Sequence, residues 1–154
     1  MDKKEYQKKL PKKRVSAGAL FLNKKDEILI VKPTYKDYWS LPGGTVDANE
    51  SPKEACKREI QEELNLDIEP GKLLSVGYVW PESDNLEIIK FLFFGGFLDE
   101  KKINKIKLQE DEIEKYQFFK LETVKTLVSQ SGGKLIEEAL QTYKSKEKSV
   151  YLES

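Results

Sequence analysis

The chain has 154 residues, the size of one domain with a real core. With 27 basic and 27 acidic residues its formal charge is zero, so no global field draws it to nucleic acid or an anionic membrane, and no apolar run reaches the length of a membrane span. A single cysteine, Cys56, excludes an internal disulfide and a cysteine-built zinc cluster, and the lack of histidine excludes Ser-His triads, His-ligated metals and phosphohistidine chemistry.

The first segment, "MDKKEYQKKLPKKR", is basic but is not followed by the apolar stretch of a signal peptide, so the expected location is the cytoplasm. Residues 1–13 read as a solvated, partly disordered arm. Val15–Leu22 reads as a strand, "NKKD" as a turn and "EILIVK" as its hairpin partner. "KPTYKDY" is a loop, and "WSLP" a short strand feeding Gly43-Gly44. A helix follows. Lys72–Trp80 and Glu87–Leu98 read as two longer strands around the turn "PESDN", and Gly95-Gly96 marks a bulge or close approach in the second. "KINKIKLQEDEIE" is a charged connector, "YQFFKL" a short strand and "TVKTLVSQ" a short helix. "GGKLIEEALQTYKSK" is a C-terminal amphipathic helix with Leu135, Ile136, Ala139, Leu140 and Tyr143 at helical spacing. The expected organisation is an arm over 1–14, one domain over 15–145 and a tail over 146–154. Strands and helices mix without the alternation of a doubly wound sheet, which points to mixed sheets packed between helices.

The helix after the glycines carries the chemistry. Ser51 can cap it, Pro52 fits its first position, Glu54 completes a capping box, and Asn65 suits the left-handed residue that ends a helix. At about 100° per residue, Cys56, Ile60 and Leu64 form the buried stripe. Glu59, Glu62 and Glu63 converge on an adjacent arc beside small Ala55, while Glu54, Lys57 and Gln61 point to solvent. Like charges at this spacing repel. A solvated acidic face is the ordinary explanation of such a cluster, but two features oppose it. The chain uses 25 lysines and only two arginines, and one of these, Arg58, precedes Glu59, where a planar multi-donor fork can hold several carboxylates. Gly43-Gly44 leads into the helix and lets backbone approach a ligand closely. Clustered carboxylates beside a glycine turn suit a hard divalent cation such as Mg²⁺, which relieves their repulsion and bridges them to phosphates. Cys56 reads as packing. Trp39 and the "FLFF" run read first as core, whereas Trp80, Tyr35 and Tyr38 sit near loop ends and could stack on a base. Lys32, Lys36 and Lys90 are candidates to meet phosphates.

Gly44, Glu50, Arg58-Glu59-Ile60, Glu62-Glu63 and Leu66, with Asn65 where a glycine is usual, resemble the signature of the Nudix hydrolases. The resemblance runs over roughly residues 15–130. It implies a Nudix-type α/β/α sandwich with the signature as loop–helix–loop. It further implies Mg²⁺-dependent hydrolysis, with Mn²⁺ as a substitute, of a nucleoside diphosphate linked to another moiety. By the same resemblance Glu59 and Glu63 are metal ligands, and Glu62 a further ligand or the group that activates water. Arg58 orients Glu59, the Gly43 carbonyl touches metal, and Glu112 is an extra ligand or base. Gly44, Glu50, Trp39, Trp80 and Pro81 fall on the substrate's side. Pro81, fifteen residues past the signature, is a hint of ADP-ribose hydrolases, although it also suits a turn. An ADP-ribose-like substrate is therefore expected. The alternatives are a (d)NTP pyrophosphatase of the nucleotide-sanitising type and a catalytically silent nucleotide-binding module. The expected partner is a nucleotide-type small molecule, with no membrane or nucleic acid, in a monomer or homodimer.

Overall fold

Apolar side chains on both faces of a strand require a covering layer on both sides. The first long strand has this property. In the computed structural model, which describes residues 1–82 and 86–153, β1 (Arg14–Leu22) sends Ala17, Ala19 and Phe21 to one side and Leu20 and Leu22 to the other. It lies inside one mixed seven-stranded sheet with β2 (Ile28–Pro33), β3 (Gly43–Thr45), β4 (Leu73–Val79), β5 (Ile88–Phe97), β6 (Ile113–Phe119) and β7 (Val150–Glu153). The order is β6-β2-β1-β5-β4-β7, with β3 pairing β1 beside that path. The pairs β1–β5 and β4–β7 are parallel and the others antiparallel.

Helices cover both faces, as the α/β/α reading requires. Helix α2 (Pro52–Leu64) sets Cys56, Ile60 and Leu64 against Ala17, Ala19, Phe21 and Phe93. On the other face α5 (Gln130–Ser145) packs Leu135, Ile136, Ala139 and Leu140 onto Leu20, Leu22, Leu74 and Leu92, with α4 (Leu121–Leu127) beside it. Among the described residues no helix is long and apolar enough to cross a membrane.

The capping box forms as the sequence predicts. Glu54 N donates to Ser51 Oγ at 3.1 Å, Ser51 N donates to the Glu54 carboxylate at 2.8 Å, and Asn65 ends the helix at φ 56°. Glu54→Gln keeps an acceptor for the Ser51 amide, so its stability in denaturant should change by only a few tenths of a kcal/mol. The expected bulge is also present. The β1–β5 register steps from Leu20↔Phe94 to Phe21↔Gly96, leaving Gly95 unpaired, and a Cβ there would lie 2.5 Å from the Phe21 ring.

Four expectations change. Residues 3–9 form helix α1 (Lys3–Lys9), held locally by the Asp2 cap and the Lys9–Glu5 pair, although none of its residues is buried. "WSLP" is not a strand. Trp39 and Ser40 make isolated bridges, and the strand begins at Gly43, where missing side chains let two backbones meet. The charged connector contains one helical turn, α3 (Glu100–Ile103), capped by Asp99. The C-terminal tail supplies β7, which has little signal of its own and forms because the edge of β4 is open to it. Of the expected turn "PESDN", Ser83, Asp84 and Asn85 lie outside the described residues.

Candidate active site

The site is built where β3 crosses β1 and α2 runs beneath them. Gly43 pairs with Gly18 and Gly44 with Ala17, which brings the glycine loop against the inner side of α2. The Glu59 carboxylate lies directly against Gly44, since a Cβ at that residue would be 2.4 Å from Glu59 Oε1. Glu63 is buried, and its Oε2 accepts from Gly43 N at 3.0 Å.

Arg58 organises the outer side. Its Nε and Nη2 grip Glu50 at 2.7 and 3.0 Å, its Nη1 reaches Glu59 at 2.9 Å and Glu62 at 3.1 Å, and Nη2 also donates to the Thr45 carbonyl at 3.1 Å. Asp47 adds a carboxylate at 3.5 Å. No lysine can offer this planar set of donors. Arg58→Lys should therefore lower stability by about 1–3 kcal/mol, because charge-assisted bonds to Glu50 and Glu59 are lost. A denaturant melt checks the value.

The three helix carboxylates form a gradient rather than a uniform cluster. Glu63 is 6 % exposed, the Glu59 side chain 12 % and the Glu62 side chain 46 %. Their acidities follow. Burial, against the lowering effect of the Gly43 N–H and with the added charges of Glu59, Glu112 and Glu62, pushes the Glu63 carboxyl up to about 8. Burial also raises Glu59, outweighing Arg58. Glu50 goes the other way, held down to about 2 by its bonds from Arg58 and then from the Asp47 amide. Burial lifts the Cys56 thiol to about 12, which suits packing and not a nucleophile.

Glu112 comes to the same place through the backbone. Lys107 N donates to the Leu64 carbonyl and Gln109 N to the Glu63 carbonyl, at 3.0 and 3.3 Å, so the segment after α3 is tied to the end of α2. Gln109 then accepts from Glu112 N at 3.0 Å. Its Oε1 is buried without a partner.

The remaining expected residues sit elsewhere. Trp39 is half-buried and meets Phe119 edge-on at 5.7 Å, with the Lys115 ammonium 5.5 Å from its ring centroid. Trp80 is exposed and edge-on to Tyr78 at 5.0 Å. Both Trp80 and the adjacent Pro81 follow β4, which β1 and β5 separate from β3. Asp47, the Thr45 carbonyl and Gln109 had no sequence signal, since each acts through a contact that only the folded loops create.

In kind, the donor set suits a hard divalent cation. It consists of carboxylate oxygens, two of the groups are buried and pushed toward protonation, and Arg58 and Gly43 engage only one oxygen each of Glu59, Glu62 and Glu63. Among the described residues no three such groups stand close enough to enclose one ion, and Arg58 holds one oxygen each of Glu59 and Glu62.

The family model described as NUDIX domain matches residues 12–139. The chain is 42 % identical over 59 residues to the "Putative ADP-ribose pyrophosphatase YjhB" of Bacillus subtilis (strain 168), covering 38 % of this chain and 27 % of that protein. It is 36 % identical over 91 residues to the "8-oxo-dGDP phosphatase NUDT18" of Mus musculus, covering 54 % of this chain and again 27 % of the relative. The matches thus span about a quarter of the length of these curated relatives. A MutT protein from Methanosarcina mazei Go1 superposes with a TM-score of 0.73 at 26 % identity, over 87 % of this chain and 97 % of the other. With its glycine loop, its graded carboxylates and a profile match over most of its length, the chain belongs to the Nudix family.

Proposed function

We propose that this protein is a Mg²⁺-dependent pyrophosphohydrolase. It cleaves a phosphoanhydride of a nucleoside diphosphate linked to a further moiety, by attack of water. The observation that carries the reading is the graded carboxylate set on α2, in which Glu59, Glu62 and Glu63 each keep one oxygen unengaged. Glu59 and Glu63 would hold the cation, with Glu62, Glu112 and the Gly43 carbonyl as further oxygen donors. When bound, such a cation lowers the pKa of water and offsets charge developing on phosphorus. Arg58 orients Glu59 and neutralises Glu50. Glu62, the most exposed of the three, and Glu112 are the groups free to accept the proton of the attacking water. Gly44, without a side chain, leaves room for the Glu59 carboxylate.

The named relatives include an ADP-ribose pyrophosphatase and an 8-oxo-dGDP phosphatase, so the substrate panel spans both chemistries. An ADP-ribose-like substrate rests on Pro81; a nucleoside triphosphate is the second reading. Purified protein should hydrolyse at least one of ADP-ribose, dinucleoside polyphosphates and oxidised dNTPs with Mg²⁺ or Mn²⁺, and none in chelator. Nucleotide binding by calorimetry without product on any of them would instead identify a silent binding module.

A further inference from the structure

Among the described residues seven basic side chains lie within ion-pair distance of a carboxylate, and most of the others are exposed. Lys13 pairs with Glu87 at 2.6 Å, Lys57 with Glu69 at 2.8 Å and Lys125 with Glu137 at 2.9 Å. Three of the others stand on the sheet and on the loop before β3. Among the described residues the side chains of Arg14, Lys36 and Lys90 have no ion pair and no hydrogen-bond partner. Lys36 and Lys90 are nevertheless half-buried.

The fold brings Arg14 and Lys90 together. Lys90 on β5 is the cross-strand partner of Ser16 on β1, and Arg14 lies two residues back along β1, so both basic side chains leave the sheet on one face with only a short serine between them. Lys36 lies in the loop between β2 and β3. Its ammonium lies 5.3 Å from the Tyr35 ring centroid and 5.7 Å from that of Tyr38. The loop is fixed from two sides. The Lys32 ammonium donates to the carbonyls of Pro33 and Lys36, and Thr34 donates from N to the Glu112 carbonyl at 2.9 Å and from Oγ1 to the Asp111 carbonyl at 3.0 Å. The segment that carries Lys36 is therefore tied to the one that carries Glu112.

Electrostatics ties the three charges into one field. Burial lowers the Lys90 pKa, and the charges of Lys36 and Arg14 lower it further. Burial and then Arg14 lower Lys36, with Glu63 acting against them. Burial raises the Tyr35 pKa, the charges of Glu63, Glu112 and Glu59 raise it further, and Arg14 opposes them. Half-buried like charges without counter-charges oppose folding, and a bound anion relieves them.

We infer that Arg14, Lys36 and Lys90 form a subsite for a phosphate group, so that the moiety attached to the nucleoside diphosphate carries its own phosphate instead of being a neutral sugar. This rests on the pyrophosphohydrolase reading of the carboxylate site. Two phosphates of the substrate lie at the carboxylates with the cation, and a third faces the three basic side chains. A nucleoside triphosphate or a dinucleoside polyphosphate supplies that third group. The terminal ribose of ADP-ribose does not, and would leave the three cations unpaired.

The test has one arm without turnover and one with it. In chelator, inorganic tripolyphosphate is titrated into the wild type, the Lys36→Met/Lys90→Met double variant and Lys90→Arg, with melts to verify folding. The wild type should bind, the double variant should bind about tenfold or more weakly, and Lys90→Arg should bind like the wild type. With Mg²⁺, the ratio of kcat/KM for ATP to that for ADP-ribose should exceed one in the wild type. In the double variant it should fall about tenfold or more, carried by KM. The subsite is overturned if the wild type does not bind tripolyphosphate, if the double variant binds it equally well, or if ADP-ribose is the better substrate and the ratio does not move. Should neither nucleotide be hydrolysed, the pyrophosphohydrolase reading fails, while the titration in chelator still decides the subsite.

Discussion

Glu63→Gln should lower turnover at saturating Mg²⁺ about a hundredfold or more, while the melting temperature in chelator stays equal to wild type or rises. The two halves of this result have different causes. Glu63 is the most buried carboxylate of α2, surrounded by the charges of Glu59, Glu112 and Glu62, and its Oε2 accepts from Gly43 N. A glutamine keeps the size and can keep that acceptor. It cannot supply the negative charge that holds a cation and, through it, stabilises the transition state. Without metal the buried Glu63 carboxyl, pushed up to about 8, is largely protonated near neutrality, so a neutral amide in its place costs the fold little. Glu54→Gln, on the same helix, touches only the capping box and serves as the reference. Near wild-type turnover for Glu63→Gln, or equal losses for both variants, would remove the metal site from this helix.

The largest effect on stability is expected one strand away. Gly43→Ala should lower unfolding stability by about 3 kcal/mol or more. The residue has φ +152°, and a Cβ would stand 2.3 Å from the Ala17 carbonyl oxygen and 2.6 Å from the Gly18 Cα. Both obstacles are backbone, so β3 must leave β1 to make room, and the Gly43 N–H moves away from Glu63 with it. Gly44→Ala is the instructive neighbour. Its Cβ meets the end of the Glu59 side chain, which can swing aside. Its stability should drop by only about 1 kcal/mol, but turnover should fall because Glu59 is displaced. Denaturant unfolding beside a rate for each variant separates the two. A Gly43→Ala protein that unfolds like wild type would mean that β3 does not pack on β1 in this way.

What the sequence by itself determined is what neighbours in the chain decide. The start and end of α2 and its buried stripe depend on contacts within four residues, and the structure has them at the expected positions. The two-sided burial of β1 follows from alternation along one strand, and the Gly95 bulge from a missing side chain. The tertiary structure decided everything that joins distant segments. The strand after the loop begins at Gly43 and not at Trp39, because only glycine backbone can approach Ala17 and Gly18 so closely. Residues 150–153 become β7 because β4 offers an unpaired edge, a fact absent from their own four side chains. The gradient from buried Glu63 to exposed Glu62 depends on which side of α2 the sheet covers. Glu112 approaches through the bonds of Gln109 and Lys107 to the end of α2, and Arg14 and Lys90 come to one face through the parallel β1–β5 pair. Local periodicity writes a helix face into the sequence, but the partner of an edge, a carbonyl or a charge many residues away is chosen only when the sheet closes.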